Sequence, residues 1–292
     1  MDSQKTHPDY SAKKAYNNAI QSLKNTPVLF TPFIIFAIIA FLSVILIYLA
    51  PRMPLRIIFG PPIRTFWGEA FLHYPTNFIL LPKLVSLATM ALSIIFGSLL
   101  TGMAVAMACD AYNKKTPRLN QSFKTAIKKY AAIFLIVFII TAIMYIAVKI
   151  VFIGLAKYFI AGHSRLLFLK ASFWMGPFLL AANFILAVLI QSAFIYAIPL
   201  IIIGKVKLLK SVIKSFVLFK KLFLPTLILV SLPMCLYIPI IILSYNNVFL
   251  IDKFFPEIIL YLALLGVIVN SLIIDPIITI STTFLYLAQK EK

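Results

Sequence analysis

The sequence predicts an all-α integral membrane protein. The expected architecture is a six-helix bundle built from three parallel repeats, each an interfacial amphipathic helix followed by a transmembrane helical hairpin. Three observations carry this. Of 292 residues, 62% are hydrophobic and only 12% are charged, about half the roughly 25% charged share of soluble domains. Six apolar runs reach the ~20 residues that a spanning helix needs. Each odd-numbered run follows a short basic stretch with helical periodicity. So apolar a chain is not disordered, and one soluble core does not hide this much apolar surface. The formal charge of +19 does not read as nucleic-acid binding, because the apolar runs are of membrane length.

The first unit covers about residues 10–108. Its interfacial helix is Ala12–Lys24, with Lys13 and Lys14 among its charges. The first span runs from Val28 to Ala50 after a polar segment of 27 residues. No small-residue cleavage site follows, so the run reads as a retained helix and not a signal peptide. The second span is Leu84–Ala108. The second unit, about 119–203, has the basic helix Ser122–Tyr130, with Lys124, Lys128 and Lys129, and spans at Ala131–Ile153 and Phe173–Ile203. The third, about 205–288, has the basic helix Leu208–Lys221 and spans at Leu222–Ser244 and Ile258–Ala288. In Leu208–Lys221 the residues Leu209, Val212, Ile213, Phe216 and Phe219 recur every three or four positions, which is helical spacing. Lys210, Lys214 and Lys221 fall on another face. Such a helix lies in the interface with its lysines among the headgroups.

The fourth and sixth spans are 31 residues each, roughly 46 Å of ideal helix. A hydrocarbon core of ~30 Å makes them tilt, kink or protrude. Pro177, Pro199 and Pro276 mark the kink sites. None of the runs alternates as lipid-facing barrel strands do. Two spanning helices per unit make the repeats parallel, unlike the inverted repeats of many transporters.

Lys and Arg counting sets the orientation. The side that holds the N-terminus, 109–130, 204–221 and the C-terminal tail carries 18 basic residues, and the other side carries 9. Both termini are therefore expected in the cytoplasm, with the protein in the cytoplasmic (inner) membrane. With the acids assigned in the same way, the cytoplasmic face holds +14 and the outer face +6, and Asp275 supplies −1 within the membrane.

Several stretches resemble a known family. Ala197-Ile198-Pro199-Leu200-Ile201-Ile202-Ile203, a short basic connection and then Ser211–Lys221 look like a fourth helix that ends in proline and leads to an amphipathic helix. Pro276–Tyr286, with Thr282 and Thr283, looks like a closing helix, and Thr101-Gly102 through Lys129 fits a second-to-third helix passage. On these stretches the chain resembles the glycerophosphoryl diester phosphodiesterase membrane-domain family and related six-helix bacterial membrane proteins. The chain carries no catalytic phosphodiesterase domain, to which hydrolysis belongs in the named members. The resemblance therefore implies a membrane module, not a phosphodiesterase.

Asp275 is the foremost candidate residue. A carboxyl inside an apolar run is costly unless paired or solvated. One reading makes it a proton or cation site, helped by a backbone carbonyl that Pro276 leaves without an amide partner. The other pairs it with a basic residue near the cytoplasmic interface or leaves it neutral. On an ideal helix Asn270 does not share its face. Asn183 and Gln191, eight residues apart, do share one, and interhelical hydrogen bonding alone accounts for such residues. Asp110, ahead of Lys114, Lys115 and Arg118, reads as an interfacial ion pair or a solvated helix end. In the first outer loop, Arg64, Glu69 and His73 form a candidate site, since Glu69 and His73 are one helical turn apart. The bland reading there is an interfacial loop with Trp67 and Tyr74 at headgroup depth. His7, His73 and His163 are the only histidines, and no metal spacing occurs. Cys109 and Cys235 read as small apolar side chains. No nucleotide-binding motif is found, and no cofactor is implied.

The first expectation is a non-catalytic, lipid-associated structural or accessory role. Its partners would be anionic membrane lipids held by Lys13, Lys14, Lys124, Lys128, Lys129, Lys210, Lys214 and Lys221, each basic side chain contributing roughly 1 kcal/mol near an anionic leaflet. The second is a small-solute or ion transporter or channel, which requires Asn183, Gln191, Asn270 and Asp275 to converge on one cavity. The third, remote, is an intramembrane lipid-modifying enzyme, which requires two or more polar groups in hydrogen-bond reach.

Overall fold

A computed structural model of the chain describes residues 12–161 and 165–291, with side chains placed outside 155–175. His7, His163 and part of the outer connection between Lys149 and Lys170 lie outside the described residues. The described residues are helical with no strand. Five helical runs are long and apolar enough to cross a membrane: Pro27–Leu49, Asn77–Tyr112, Tyr130–Gly154, Gly176–Ile202 and Ile258–Lys290. A bent pair, Leu208–Lys221 with Phe223–Cys235, adds a sixth if counted as one span. Five to six such helices suit a multi-pass membrane protein. Their outward faces are rich in exposed residues such as Ile38, Leu42, Ile146, Ile150, Leu224 and Tyr261. A soluble protein rarely leaves so wide an apolar surface uncovered.

The chain opens with α1 (Ala12–Asn25), a 3₁₀ turn at Pro27–Phe30, and α2 (Thr31–Leu49). Pro27 and Pro32 stand in the first turns, where a missing N–H costs nothing. The outer loop folds into α3 (Arg56–Phe66) and a 3₁₀ turn at Glu69–Leu72. Next come α4 (Asn77–Leu92), a π turn at Ser93–Gly97, and α5 (Ser98–Tyr112), in one run of 36 residues. That run outreaches the expected Leu84–Ala108. Lys83 does not end it, because its ammonium lies 5.9 Å from the Trp67 ring centroid, a hold for a long basic side chain near a helix end.

Then follow α6 (Leu119–Lys128), α7 (Tyr130–Ala161), α8 (Arg165–Phe194) and α9 (Ala197–Ile202). A turn at Ile195–Tyr196 separates the last two. Pro199 is its cause, since a proline ring clashes with the carbonyl four residues back, here Ile195. Pro177 lies inside α8 without breaking it. The remaining elements are α10 (Leu208–Lys221), α11 (Phe223–Cys235), α12 (Ile238–Tyr245), α13 (Asn247–Lys253), α14 (Ile258–Val269), a π turn at Asn270–Ile274, and α15 (Asp275–Lys290). The expected unbroken span Leu222–Ser244 is thus two helices. Pro239 clashes back onto Cys235, where α11 ends.

The core gathers at the end of the bundle that carries α1, α6 and α10. Ala19, Leu23, Met107, Ala126, Ile280 and Phe284 pack there, next to Tyr196, Leu200, Leu222 and Leu285. The amphipathic helices seat a small-residue face on their neighbours: Ala15 and Ala19 in α1, Ser122 and Ala126 in α6, Ser211 and Ser215 in α10, all buried. Small residues four apart let helix backbones approach closely. At Gly102, opposite Ala126, an added Cβ would lie 2.7 Å from Ile133 Cδ1.

The candidate intramembrane site

Both π turns and the α8–α9 break face one cavity of about 280 Å³. Three helical runs meet it with residues four apart: Ser93, Gly97 and Thr101; Gln191, Ile195 and Pro199; Asp275, Thr279 and Thr283. Phe33 and Phe36 of α2 and Val137 and Ile140 of α7 close the apolar side. Asp275 is the eighteenth of 33 residues in its run, near mid-length.

The π turn sets the chemistry. On an α-helix, positions five apart diverge, so Asn270 was expected off the Asp275 face. A π turn closes i→i+5 bonds, and the Asp275 N–H donates to the Asn270 carbonyl. This brings the two side chains onto one side, and Asn270 Nδ2 donates to Asp275 Oδ2 at 3.2 Å. The expectation that they do not share a face is corrected. Among the described residues Asp275 has no basic partner, so its pairing with a lysine or arginine is corrected too. Pro276 follows directly: it cannot donate in the α register, and the turn widens just ahead of it. In the other π turn, the Ile95 carbonyl accepts from the Tyr130 hydroxyl at 3.1 Å and from Ser98 Oγ at 3.1 Å.

Of the four polar residues singled out on the spans, Gln191, Asn270 and Asp275 line the cavity and Asn183 does not. Asn183 stands eight residues from Gln191, roughly 12 Å along the helix, on the same face but beyond the chamber. Its Oδ1 is buried without a partner among the described residues. Ser93, Thr101, Thr279, Thr282 and Thr283 were missed as site residues. Their signal was present as hydroxyls and small residues at spacings of four inside apolar runs. Thr282 Oγ1 donates to the Ile278 carbonyl at 2.6 Å and Thr283 Oγ1 to Thr279 at 2.7 Å. With their protons committed to the backbone, these hydroxyls retain lone pairs to accept with.

The outer-loop candidate takes another form. Glu69 is held by Arg64, with Nε–Oε2 at 2.6 Å and Nη2–Oε1 at 2.9 Å, and Arg56 stands at 3.8 Å. His73 follows the 3₁₀ turn in extended conformation and is exposed. A 3₁₀ turn does not stack positions four apart, so the expected Glu69–His73 pair is corrected to an exposed arginine–carboxylate clamp.

Lys13, Lys14, Lys124, Lys128, Lys129, Lys210, Lys214 and Lys221 are exposed at the end that carries the amphipathic helices. On α10 the serine face is buried, while Leu209, Ile213, Phe216 and Val217 point outward. Comparison with family models, with curated proteins and with solved structures returned no match.

Proposed function

We propose that this protein spans the cytoplasmic membrane six times, with both termini in the cytoplasm, and takes a small cationic or hydrogen-bond-donating solute into the chamber beside Asp275 as a step of transport. One observation carries the reading: Gln191, Asn270 and Asp275 meet on one cavity. Its wall is biased toward accepting. Among the described residues Asp275 is the only ionisable side chain on it, and a carboxylate only accepts. Although the chain carries a formal charge of +19, no lysine or arginine among the described residues lines this wall, which favours a positive guest. An ionisable residue at membrane depth is a functional candidate by default. Catalysis fits less well, because one carboxylate beside an amide is not an acid–base pair.

Three parallel units around one chamber suit this reading. Each amphipathic helix buries a small pair, and each second spanning helix offers a stripe of residues four apart. Kinship with the phosphodiesterase membrane-domain family is part of the proposal, as a module without hydrolysis. Lipid association is the second reading, and the outward apolar stripe of α10 favours it.

The test uses Thr279→Cys in a chain with Cys109→Ala and Cys235→Ala, reconstituted in liposomes. A cationic methanethiosulfonate should react roughly tenfold faster than an anionic one, because the carboxylate is a near charge at reduced dielectric. Asp275→Asn should bring the two rates together. Equal rates with Asp275 present, or no reaction with either reagent, would overturn the chamber. Absence of methylammonium uptake by reactive, folded protein would overturn the transport step alone.

A further inference from the structure

A second pair of cavities lies at the edge between α2 and α5. The first, about 440 Å³, is lined by Asn25, Thr26, Lys114, Lys115 and Thr116 at the end of the bundle that carries the amphipathic helices. The second, about 470 Å³, is a groove lined by Ile35, Ile39, Phe96, Leu99 and Phe123, with α6 along its side. The same three chain segments build both. Val28 lines the first and Thr31 the second, one turn further along. Pro117 lines the first and Leu119 the second, two residues on. Ala111 lines the first and Met103 the second, two turns apart on α5. A polar, dibasic chamber therefore continues into an apolar trough.

Lys114 reinforces the point. It sits in the left-handed region at φ 56°, the position past a helix end that glycine usually fills. Its N–H donates to the Ala111 carbonyl and that of Lys115 to the Asp110 carbonyl, wrapping the end of α5. Lys114 and Lys115 are exposed, and among the described residues neither ammonium lies within 4 Å of a carboxylate, although Lys115 is a charge neighbour of Asp110.

We infer that this edge binds one anionic phospholipid, with its phosphate between Lys114, Lys115 and the Thr26 and Thr116 hydroxyls and an acyl chain in the groove along α2, α5 and α6. The occupant is fixed by complementarity. An anion alone would leave the trough empty, and an apolar chain alone would leave two lysines with only the Asp110 carboxylate beside Lys115 as counter-charge. The site shares Leu100 with the wall of the Asp275 chamber, but the lysines and hydroxyls that would hold the phosphate line a separate cavity.

Native mass spectrometry of the full chain in detergent micelles tests this, with phosphatidylglycerol or phosphatidylcholine of identical acyl chains added at equal concentration. The expected result is a one-to-one phosphatidylglycerol complex that outlasts the phosphatidylcholine one on collisional activation. Lys114→Gln with Lys115→Gln should lower phosphatidylglycerol occupancy by about fivefold for each lysine and leave phosphatidylcholine unchanged. Ile39→Trp, which fills the groove, should lower both. The control, Lys205→Gln with Lys207→Gln, removes the same charge from another link and should leave the complex intact. Equal retention of the two lipids, an equal loss in the control, or a doubled protein mass in place of a lipid adduct would overturn the assignment.

Discussion

Asp275 and Asn270 show how one hydrogen bond changes a residue's meaning. The carboxylate was legible as the odd residue of its run. Its partner was not, because the α period sets positions five apart on different faces and only a π turn reunites them. Gln191 was legible by its polarity. The hydroxyls of Thr279, Thr282 and Thr283 signalled only by their spacing, because threonine in an apolar helix ordinarily bonds its own backbone, as Thr282 and Thr283 do. Removing the amide should leave the carboxylate unsatisfied. Asn270→Leu is expected to cost about 1–3 kcal/mol, and to cost much less in an Asp275→Leu background. Thermal unfolding of the four proteins in detergent gives the coupling as a double-mutant cycle.

At the scale of elements, the existence of the apolar helices was plain from length and composition, and their interruptions only partly so. Pro199 breaks its helix as expected, but Pro177 does not. Pro239 divides a span that the apolar count ran together. The Ser93–Gly97 π turn has no proline to announce it; a small residue at each end and the Tyr130 hydroxyl accompany it. The amphipathic helices were legible as helices, but their packing face was not. Apolar periodicity marks the bulky stripe, whereas α10 seats Ser211 and Ser215. Ser215 Oγ donates to the Ala193 carbonyl at 2.8 Å, in the last turn of α8, where carbonyls lack helical partners. Ser215→Leu should therefore destabilise by about 1–3 kcal/mol through overpacking. Ile213→Ser, on the exposed stripe, should leave the melting temperature in detergent within about a degree, since surface changes stay within ~0.5 kcal/mol.

For the whole molecule, the composition told most of the story. A low charged share and six apolar runs fix an all-helical chain with a wide apolar exterior. Charge counting supplies the direction proposed for that exterior. What composition does not carry is depth: the Asn77–Tyr112 and Ile258–Lys290 runs are each roughly 50 Å long, and only their contacts show that the surplus length is packed against α1 and α6. Of the two sites proposed above, one lies near mid-length inside the bundle and one on its edge, reaching to that end.

The 96° bend between α10 and α11 has a mechanical corollary. Leu222 is the single residue between the two helices and serves as the elbow. On the proposed orientation, α10 rides in the headgroup plane while α11 descends at right angles, so the elbow moves with that plane as the membrane swells or thins. The chamber hangs a fixed distance beneath it. A thinner bilayer is then accommodated at the opposite rim, where α3 and α13 lie. With Trp174→Phe leaving Trp67 as the one tryptophan, reconstitution in phospholipids of graded acyl length should leave the reaction rate of Thr279→Cys constant while quenching of Trp67 fluorescence from the outer side rises as the bilayer thins. The protein would thus act as a gauge with one fixed jaw, keeping its inner chamber in register with the cytoplasmic surface and letting the far side absorb the difference.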